Sequence, residues 1–213
     1  MCKHHCLLRK GAQAALDAPT MTEDDILSEF RASEALLEGH FKLSSGRHSA
    51  YYLQCARILM NPERAGTLAR ALAHKIPREI RAEIDVVVSP AMGGLIIGHE
   101  MGRALGKDAM FLERPEGEFY LRRGFRLEPG AKVLMVEDVV TTGLSSREAI
   151  AAVTREGGEV SAECALVDRS NGEAELGVPF YPLVELNFPT YADDEVPADL
   201  AAIPVTKPGS RTS

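Results

Sequence analysis

No stretch of this 213-residue chain approaches the roughly 20 consecutive apolar residues that a membrane helix needs. Residues 7–16 lack a signal-peptide core, so a soluble, cytoplasmic protein is expected. No acid precedes Asp17, which gives residues 1–20 a faint transit-peptide character. The simpler expectation is a disordered extension ahead of Met21. Cysteine is scarce: Cys2, Cys6, Cys55 and Cys164 are too few in this length for a disulfide framework. Cys164 lies in an apolar run and reads as a buried core thiol. Cys2, His4, His5 and Cys6 have the right chemistry for a metal. They are too crowded for one tetrahedral ion, and a frayed terminus is the expectation there. Lys and Arg (24) are outnumbered by Asp and Glu (31), for a net charge of −7. That balance argues against non-specific nucleic-acid binding. It leaves an anionic small molecule open, because the potential of a site is local. There is no internal repeat, no low-complexity tract, no G-x-G-x-x-G and no Walker A loop.

What is present is globular: 45% hydrophobic and 26% charged residues. The length suits one domain and buries about 70% of the unfolded chain's surface. Thr22 followed by three acids reads as a capped helix start. Ile26, Leu27, Phe30, Leu36 and Leu37 continue at helical spacing until Gly39. Residues 51–54 form a short extended piece, and Asn61-Pro62 opens a helix to about His74. Residues 85–89, 133–136 and 160–167 are short buried strands. Helices follow over residues 93–105 and 145–156. Residues 113–126 are charged and irregular. Strands alternating with helices predict an α/β fold, with a mostly parallel sheet covered on both faces. Ligands in such sheets sit beyond the carboxyl ends of the strands.

The run VLMVEDVVTTGLS over residues 133–145 carries the chemistry. Four apolar residues make a strand, Glu137 and Asp138 stand at its end, and a small polar loop opens a helix. Backbone N–H groups of Thr141, Thr142, Gly143, Leu144 and Ser145 make an anion cradle at a helix N-terminus, and hydroxyls add donors. Gly143 lets the backbone approach closely. Carboxylates beside a phosphate would repel it. Glu137 and Asp138 therefore face vicinal sugar hydroxyls or a hydrated Mg2+. A phosphate cradle beside diol-binding acids describes a ribose 5-phosphate site. The bland alternative is an acid pair that merely ends a strand.

This run resembles the phosphoribosyl-diphosphate motif of the type I phosphoribosyltransferases. GHFKLSSGRHSAYY over residues 39–52, SPAMGGL over 89–95 and LVDR over 166–169 resemble segments of the orotate-using members. The resemblance covers most of the chain from Met21, with the motifs in the family's order. It implies one phosphoribosyltransferase domain over residues 21–213, preceded by the extension. A small hood would come from residues 21–58 plus C-terminal segments, and the core from about 60–185. It also implies Mg2+-dependent transfer of ribose 5-phosphate from phosphoribosyl diphosphate to orotate, the penultimate step of UMP synthesis. The product pair is orotidine 5′-monophosphate and diphosphate. A homodimer with shared active sites is implied too, and no partner of nucleic acid or membrane. The length leaves no room for a decarboxylase-sized second domain, so fusion to the next step is not expected.

Carried over residue by residue, Glu137 and Asp138 hold the ribose hydroxyls. Residues 139–145, from Val139 and Val140 through Ser145, cradle the 5-phosphate. Thr141, Arg169, Tyr52 and Leu53 meet orotate. Catalysis needs cations at the leaving diphosphate and exclusion of water. The mobile loop departs from the family. Arg114 matches its leading arginine, but Pro115 stands where a lysine is usual, and no lysine or histidine lies within the loop. Arg122 and Arg123 are the available substitutes. Ser44 and Gly93 also stand where many relatives carry lysine. Two other readings stay open: a phosphoribosyltransferase for another base, and a nucleotide-sensing regulator on the same fold.

Overall fold

A computed structural model describes residues 21–208. The extension over 1–20 and the group of Cys2, His4, His5 and Cys6 lie outside the described residues. Helix α1 (Glu23–Ala32) starts as its sequence dictates. The Thr22 hydroxyl accepts from the Asp25 amide at 3.2 Å, and the Asp25 carboxylate accepts from the Thr22 amide at 3.0 Å. This capping box satisfies two donors that a helix start otherwise leaves open. The helix ends seven residues before Gly39. Leu36 and Leu37 lie in strand β1 (Leu36–Lys42), paired antiparallel with β2 (His48–Leu53). Cross-strand pairing of Leu36 with Leu53 and Leu37 with Tyr52 overrides the helical spacing. Gly39 marks the register shift between Glu38 and Phe41 rather than a helix stop.

The next helices are α2 (Cys55–Leu59), α3 (Pro62–Lys75) and α4 (Arg78–Glu83). The Asn61 side chain accepts from the amides of Glu63 and Arg64, and Pro62 fills the first position, where its missing N–H costs nothing. Then come β3 (Val86–Pro90), α5 (Gly93–Leu105), β4 (Asp108–Glu113), β5 (Tyr120–Leu121), β6 (Lys132–Val140), α6 (Leu144–Arg155), β7 (Glu159–Asp168) and β8 (Phe180–Glu185). The chain closes with β9 (Thr190–Tyr191), α7 (Ala198–Ala201) and β10 (Val205–Thr206). Part of the stretch expected to be irregular is ordered: β4 ends at Glu113, and β5 folds back antiparallel on it, with Phe119 buried.

Six strands form the main sheet in the order β5-β4-β3-β6-β7-β8. Every pair is parallel except β4 with β5. Alternation along β6 supplies two cores. Leu134 and Val136 join α1, α2, α3 and α5 on one face; Val133 and Met135 meet Ala149, Ala152 and Val153 of α6 on the other. Cys164 is fully buried in the first core, as its apolar neighbours predict.

A second sheet, β10-β1-β2-β9, is built from N-terminal and C-terminal segments, and we refer to it as the hood; α1, expected in the hood over residues 21–58, packs on the main core instead through Ile26 and Phe30. Buried imidazoles knit it together. His40 Nε2 lies 2.6 Å from His48 Nδ1, His40 Nδ1 lies 3.0 Å from the Ile203 carbonyl, and His48 Nε2 lies 2.6 Å from the Asp193 carboxylate. Among the described residues no helix is long and apolar enough to cross a membrane.

Helix α5 reaches the sheet only because it is rich in glycine. A Cβ on Gly98 would lie 2.4 Å from Ser89 Oγ and 2.6 Å from Ser89 Cβ. The hydroxyl can rotate away, but the Cβ cannot. Gly98→Ala gains about 1 kcal/mol of helix propensity and loses more to the clash. The expected net loss is about 1–2 kcal/mol, read as a lower urea midpoint with an unchanged slope; an unchanged or raised midpoint would contradict this packing.

Candidate active site

Strand β6 does not stop before its acids, as the four-residue apolar core suggested; it runs through them to Val140. Alternation therefore sends two adjacent carboxyls to opposite faces. Glu137 points to the α6 side and Asp138 to the α5 side. Glycine makes room for both. A Cβ on Gly93 would lie 2.5 Å from Asp138 Oδ1, and one on Gly94 would lie 2.7 Å from the Val136 carbonyl. Burial, then the neighbouring carboxyls of Asp138 and Glu163, push Glu137 up to about 8. The Ser145 hydroxyl, donating to Glu137 Oε1 at 3.3 Å, pulls the other way. Burial raises Asp138 too, against the Val139 amide that donates to its Oδ1 at 3.0 Å.

The turn after β6 has the form an anion site needs. Gly143 is left-handed at φ +71°, and a Cβ there would lie 2.6 Å from the Leu176 side chain. Gly143 offers no side chain to cap α6; the Leu144 amide donates to Thr142 Oγ1 at 3.4 Å, and first-turn N–H groups beyond it remain available to an anion. Thr141 and Thr142 are exposed. Three successive residues brace the turn from different sides. Ser145 reaches Glu137, Ser146 Oγ donates to Glu163 Oε1 at 2.6 Å, and Arg147 donates to the carbonyls of Thr142 and Glu175, both at 3.2 Å.

Beside this turn lies an open cleft of about 310 Å³. Its walls are Glu137, Asp138, Val139 and Ser145, with Pro90, Ala91 and Gly93 after β3, and Arg114 and Phe119 from the charged loop. The Arg114 guanidinium sits 4.1 Å over the Phe119 ring and pairs with Glu148 of α6. Arg122 and Arg123 are not in the cleft wall. Both pair with Glu113, at 2.9 and 2.5 Å, and Arg123 first holds that carboxyl below its ordinary range. Of the three expected loop cations, one therefore lines this cleft.

The other wing of the site follows β7. The Arg169 amide donates to the Val140 carbonyl at 2.8 Å, which binds the two strand ends together. Its guanidinium lies 5.2 Å over the Phe188 ring, and Tyr51 stacks on that ring at 4.7 Å. Arg169 Nε is buried without a hydrogen-bond partner among the described residues, and burial lowers its pKa. Tyr52 and Leu53 part company, because neighbours on a strand face opposite sides. Leu53 and Tyr51 pack on the main core, while Tyr52 packs near Phe41 at 5.7 Å. Tyr51, rather than Tyr52, is thus joined to Arg169 through Phe188.

Sequence reasoning passed over Phe188, whose place depends on a contact between distant segments. It also passed over Cys55, buried with its thiol 4.0 Å from the Asp138 carbonyl and raised by burial. Glu163 had a readable signal, a lone acid inside an apolar strand. It is fully buried, and burial pushes it up to about 7.

Residues 56–190 match the family model described as the phosphoribosyl transferase domain. A protein of Erythrobacter litoralis named orotate phosphoribosyltransferase is 83% identical over 191 residues, covering 90% of this chain and 99% of that one. The chain belongs to the orotate phosphoribosyltransferase family. Among solved structures, the orotate phosphoribosyltransferase of Aeropyrum pernix aligns with a TM-score of 0.63 and 28% identity, over 76% of this chain and 93% of its own. That of Mycobacterium tuberculosis, in complex with inorganic phosphate, aligns with a TM-score of 0.60 and 26% identity, over 78% and 97%. In this orotate phosphoribosyltransferase family member the matched domain contains the cleft, the turn and Arg169. Tyr51, Tyr52 and Leu53 of the hood precede it.

The buried carboxyls make stability depend on pH. Glu137 and Glu163 are raised above the ordinary glutamate value of 4.5, to about 8 and about 7. Their protonated forms favour the folded state, so their contribution is full below about pH 4.5 and is lost as pH rises through about 8. Asp25, Glu113 and Asp193 are lowered, and their contributions are already complete above the ordinary carboxylate range. The melting temperature of the ligand-free protein should fall by about 5 °C or more between about pH 5.5 and about pH 8.5. Glu137→Gln should flatten that fall. A flat wild-type profile would contradict the buried, raised carboxyls.

Proposed function

We propose that this cleft transfers ribose 5-phosphate from phosphoribosyl diphosphate to orotate, giving orotidine 5′-monophosphate and diphosphate, with Mg2+, in UMP biosynthesis in the cytoplasm. One observation carries the reading: a Thr-Thr-Gly turn stands just after the buried Glu137 and half-buried Asp138, and Ser145, just beyond that turn, lines the same cleft as both acids. The turn suits a 5-phosphate, and the acids suit the two hydroxyls of the same sugar. The relative crystallised with inorganic phosphate supports an anion site in this fold.

The reaction builds positive charge on the ribose ring as the diphosphate departs. Glu137 and Asp138 hold the sugar hydroxyls and place carboxyl oxygens near that charge. Arg114 faces the same cleft and can meet the departing diphosphate. Arg169 offers orotate's carboxylate a guanidinium whose Nε lacks a partner, backed by the Phe188 ring. This donor favours a carboxylate-bearing base over other bases.

Among the described residues no cluster of three or more His, Cys, Asp or Glu could hold a metal. Two adjacent carboxyls at an open cleft fit a hydrated Mg2+ that takes its remaining ligands from diphosphate and water. When bound, Mg2+ neutralises leaving-group charge. Glu137 and Asp138 are the residues that would face it.

The proposal includes a homodimer with shared sites. Met92 and Ile96, one turn apart on the edge of α5, are 85% and 41% exposed, which supports a self-association surface. Arg122 and Arg123, which do not line their own cleft, suit a role at a partner's.

The deciding assay offers orotate, adenine, guanine and uracil with phosphoribosyl diphosphate, with and without Mg2+. Consumption of orotate alone, and only with Mg2+, is expected; consumption of another base instead would sink the assignment. Glu137→Gln with Asp138→Asn should lower kcat/KM about 10²–10³-fold in a folded protein. Near-normal turnover would remove their role at the sugar. Arg123→Ala should lose activity and regain it in mixed dimers with that double variant. No recovery would refute action across the interface.

A further inference from the structure

We propose that Glu163 is a positioning residue for the phosphate-binding turn, acting through Ser146. The inference rests on the reading of residues 141–145 as the phosphate cradle.

A carboxyl in this place needs a reason. Glu163 lies in the middle of β7, beside Met135 of β6 in register and beneath α6. It has no exposed surface, and that face of the sheet is mostly apolar, with Glu137 of β6 the other carboxyl close enough to interact with it. Burying such a group is costly unless it is hydrogen-bonded, and a hydrophobic side chain would suit the face better. Only one of its oxygens is satisfied: Ser146 Oγ donates to Oε1 at 2.6 Å, while Oε2 is buried without a partner among the described residues. The pair therefore gives up stability that an apolar pair would keep.

What the pair achieves is set by where Ser146 sits. It is in the first turn of α6, a helix that begins at left-handed Gly143 without a side-chain cap. A cap would hold this turn in place, but it would also occupy the N–H groups that a phosphate must reach. The turn is instead held from its flanks. The Ser146–Glu163 bond, at 2.6 Å, ties it to β7, and the longer Ser145–Glu137 bond, at 3.3 Å, ties it to the end of β6. A cradle fixed this way leaves donors beyond the Leu144 amide free, and a site preorganised in this manner does not spend binding energy on ordering itself.

The test uses steady-state kinetics and melting of the full-length protein. Ser146→Ala and Glu163→Leu should each raise KM for phosphoribosyl diphosphate about five- to tenfold, with kcat within about twofold. Glu163→Gln keeps an acceptor oxygen for Ser146 and should stay within about twofold of wild type in KM. The double variant Ser146→Ala/Glu163→Leu should be no worse than either single one, because both remove the same bond. A purely structural role would shift the melting temperature and leave KM unchanged in Ser146→Ala and Glu163→Leu, and that result overturns the proposal. Should Glu163→Leu fail to accumulate, Ser146→Ala and Glu163→Gln decide the matter alone. Ribose 5-phosphate separates the two levels of inference. If it does not compete with phosphoribosyl diphosphate in wild type, the cradle reading fails. If it competes equally well in wild type and Ser146→Ala, only the positioning role of Glu163 fails.

Discussion

The structure turns on two carboxyls at the end of its central strand. Continuous strand geometry through Glu137 and Asp138 points them to opposite faces, so Asp138 meets the start of α5 at Gly93, while Glu137 lies between Gly94 of α5 and Ser145 of α6. On one side α5 begins with glycines because any side chain at 93 would strike Asp138. On the other, α6 begins with a turn whose Ser145 hydroxyl meets Glu137. The two helices that cover the sheet therefore start where they do because of how these acids are accommodated. The same burial that raises both carboxyls places them at the wall of an open cleft. Such perturbed groups cluster where chemistry is done.

Charge is distributed to match. The net −7 is carried largely by residues 23–38 and 193–199, which hold ten of the acids and a single arginine. The stretch over 111–126 is modestly cationic, with four arginines against three glutamates. Three of these arginines are held by acids: Arg114 on Glu148, and Arg122 and Arg123 on Glu113. Exposed ion pairs of this kind contribute little to stability. A diphosphate carrying more charge than one glutamate can therefore compete for these side chains at small cost.

The hood contributes through shape more than charge. Its short strands come from both ends of the chain, and the buried His40–His48 pair joins them to Asp193 and Ile203. That closure sets Tyr51 on Phe188, and Phe188 under Arg169. An arginine that follows one strand of the main sheet is thereby backed by aromatic rings from the hood and the C-terminal segment.

Much of this was legible in the residues themselves. The apolar strands, the capped start of α1, the Asn61-Pro62 opening of α3 and the acid-pair-then-glycine run all rest on local chemistry. Local chemistry is written in adjacent residues. The resemblance to phosphoribosyltransferases followed from four such runs in order. The errors arose where distant segments decide. Leu36 and Leu37 have helical spacing from Phe30, yet Leu53 and Tyr52 draw them into a strand. Tyr51 and Tyr52 are equivalent as a dipeptide, and only the facing of β2 sends one toward Arg169 and the other toward Phe41. Glu163 could be seen as an acid in an apolar run, but its partner Ser146 lies 17 residues away. Sequence alone determined the acid pair and the glycine turn that follow the central strand, because those residues are contiguous. Tertiary structure decided which of them face one another, because strand pairing and alternation depend on neighbours far along the chain.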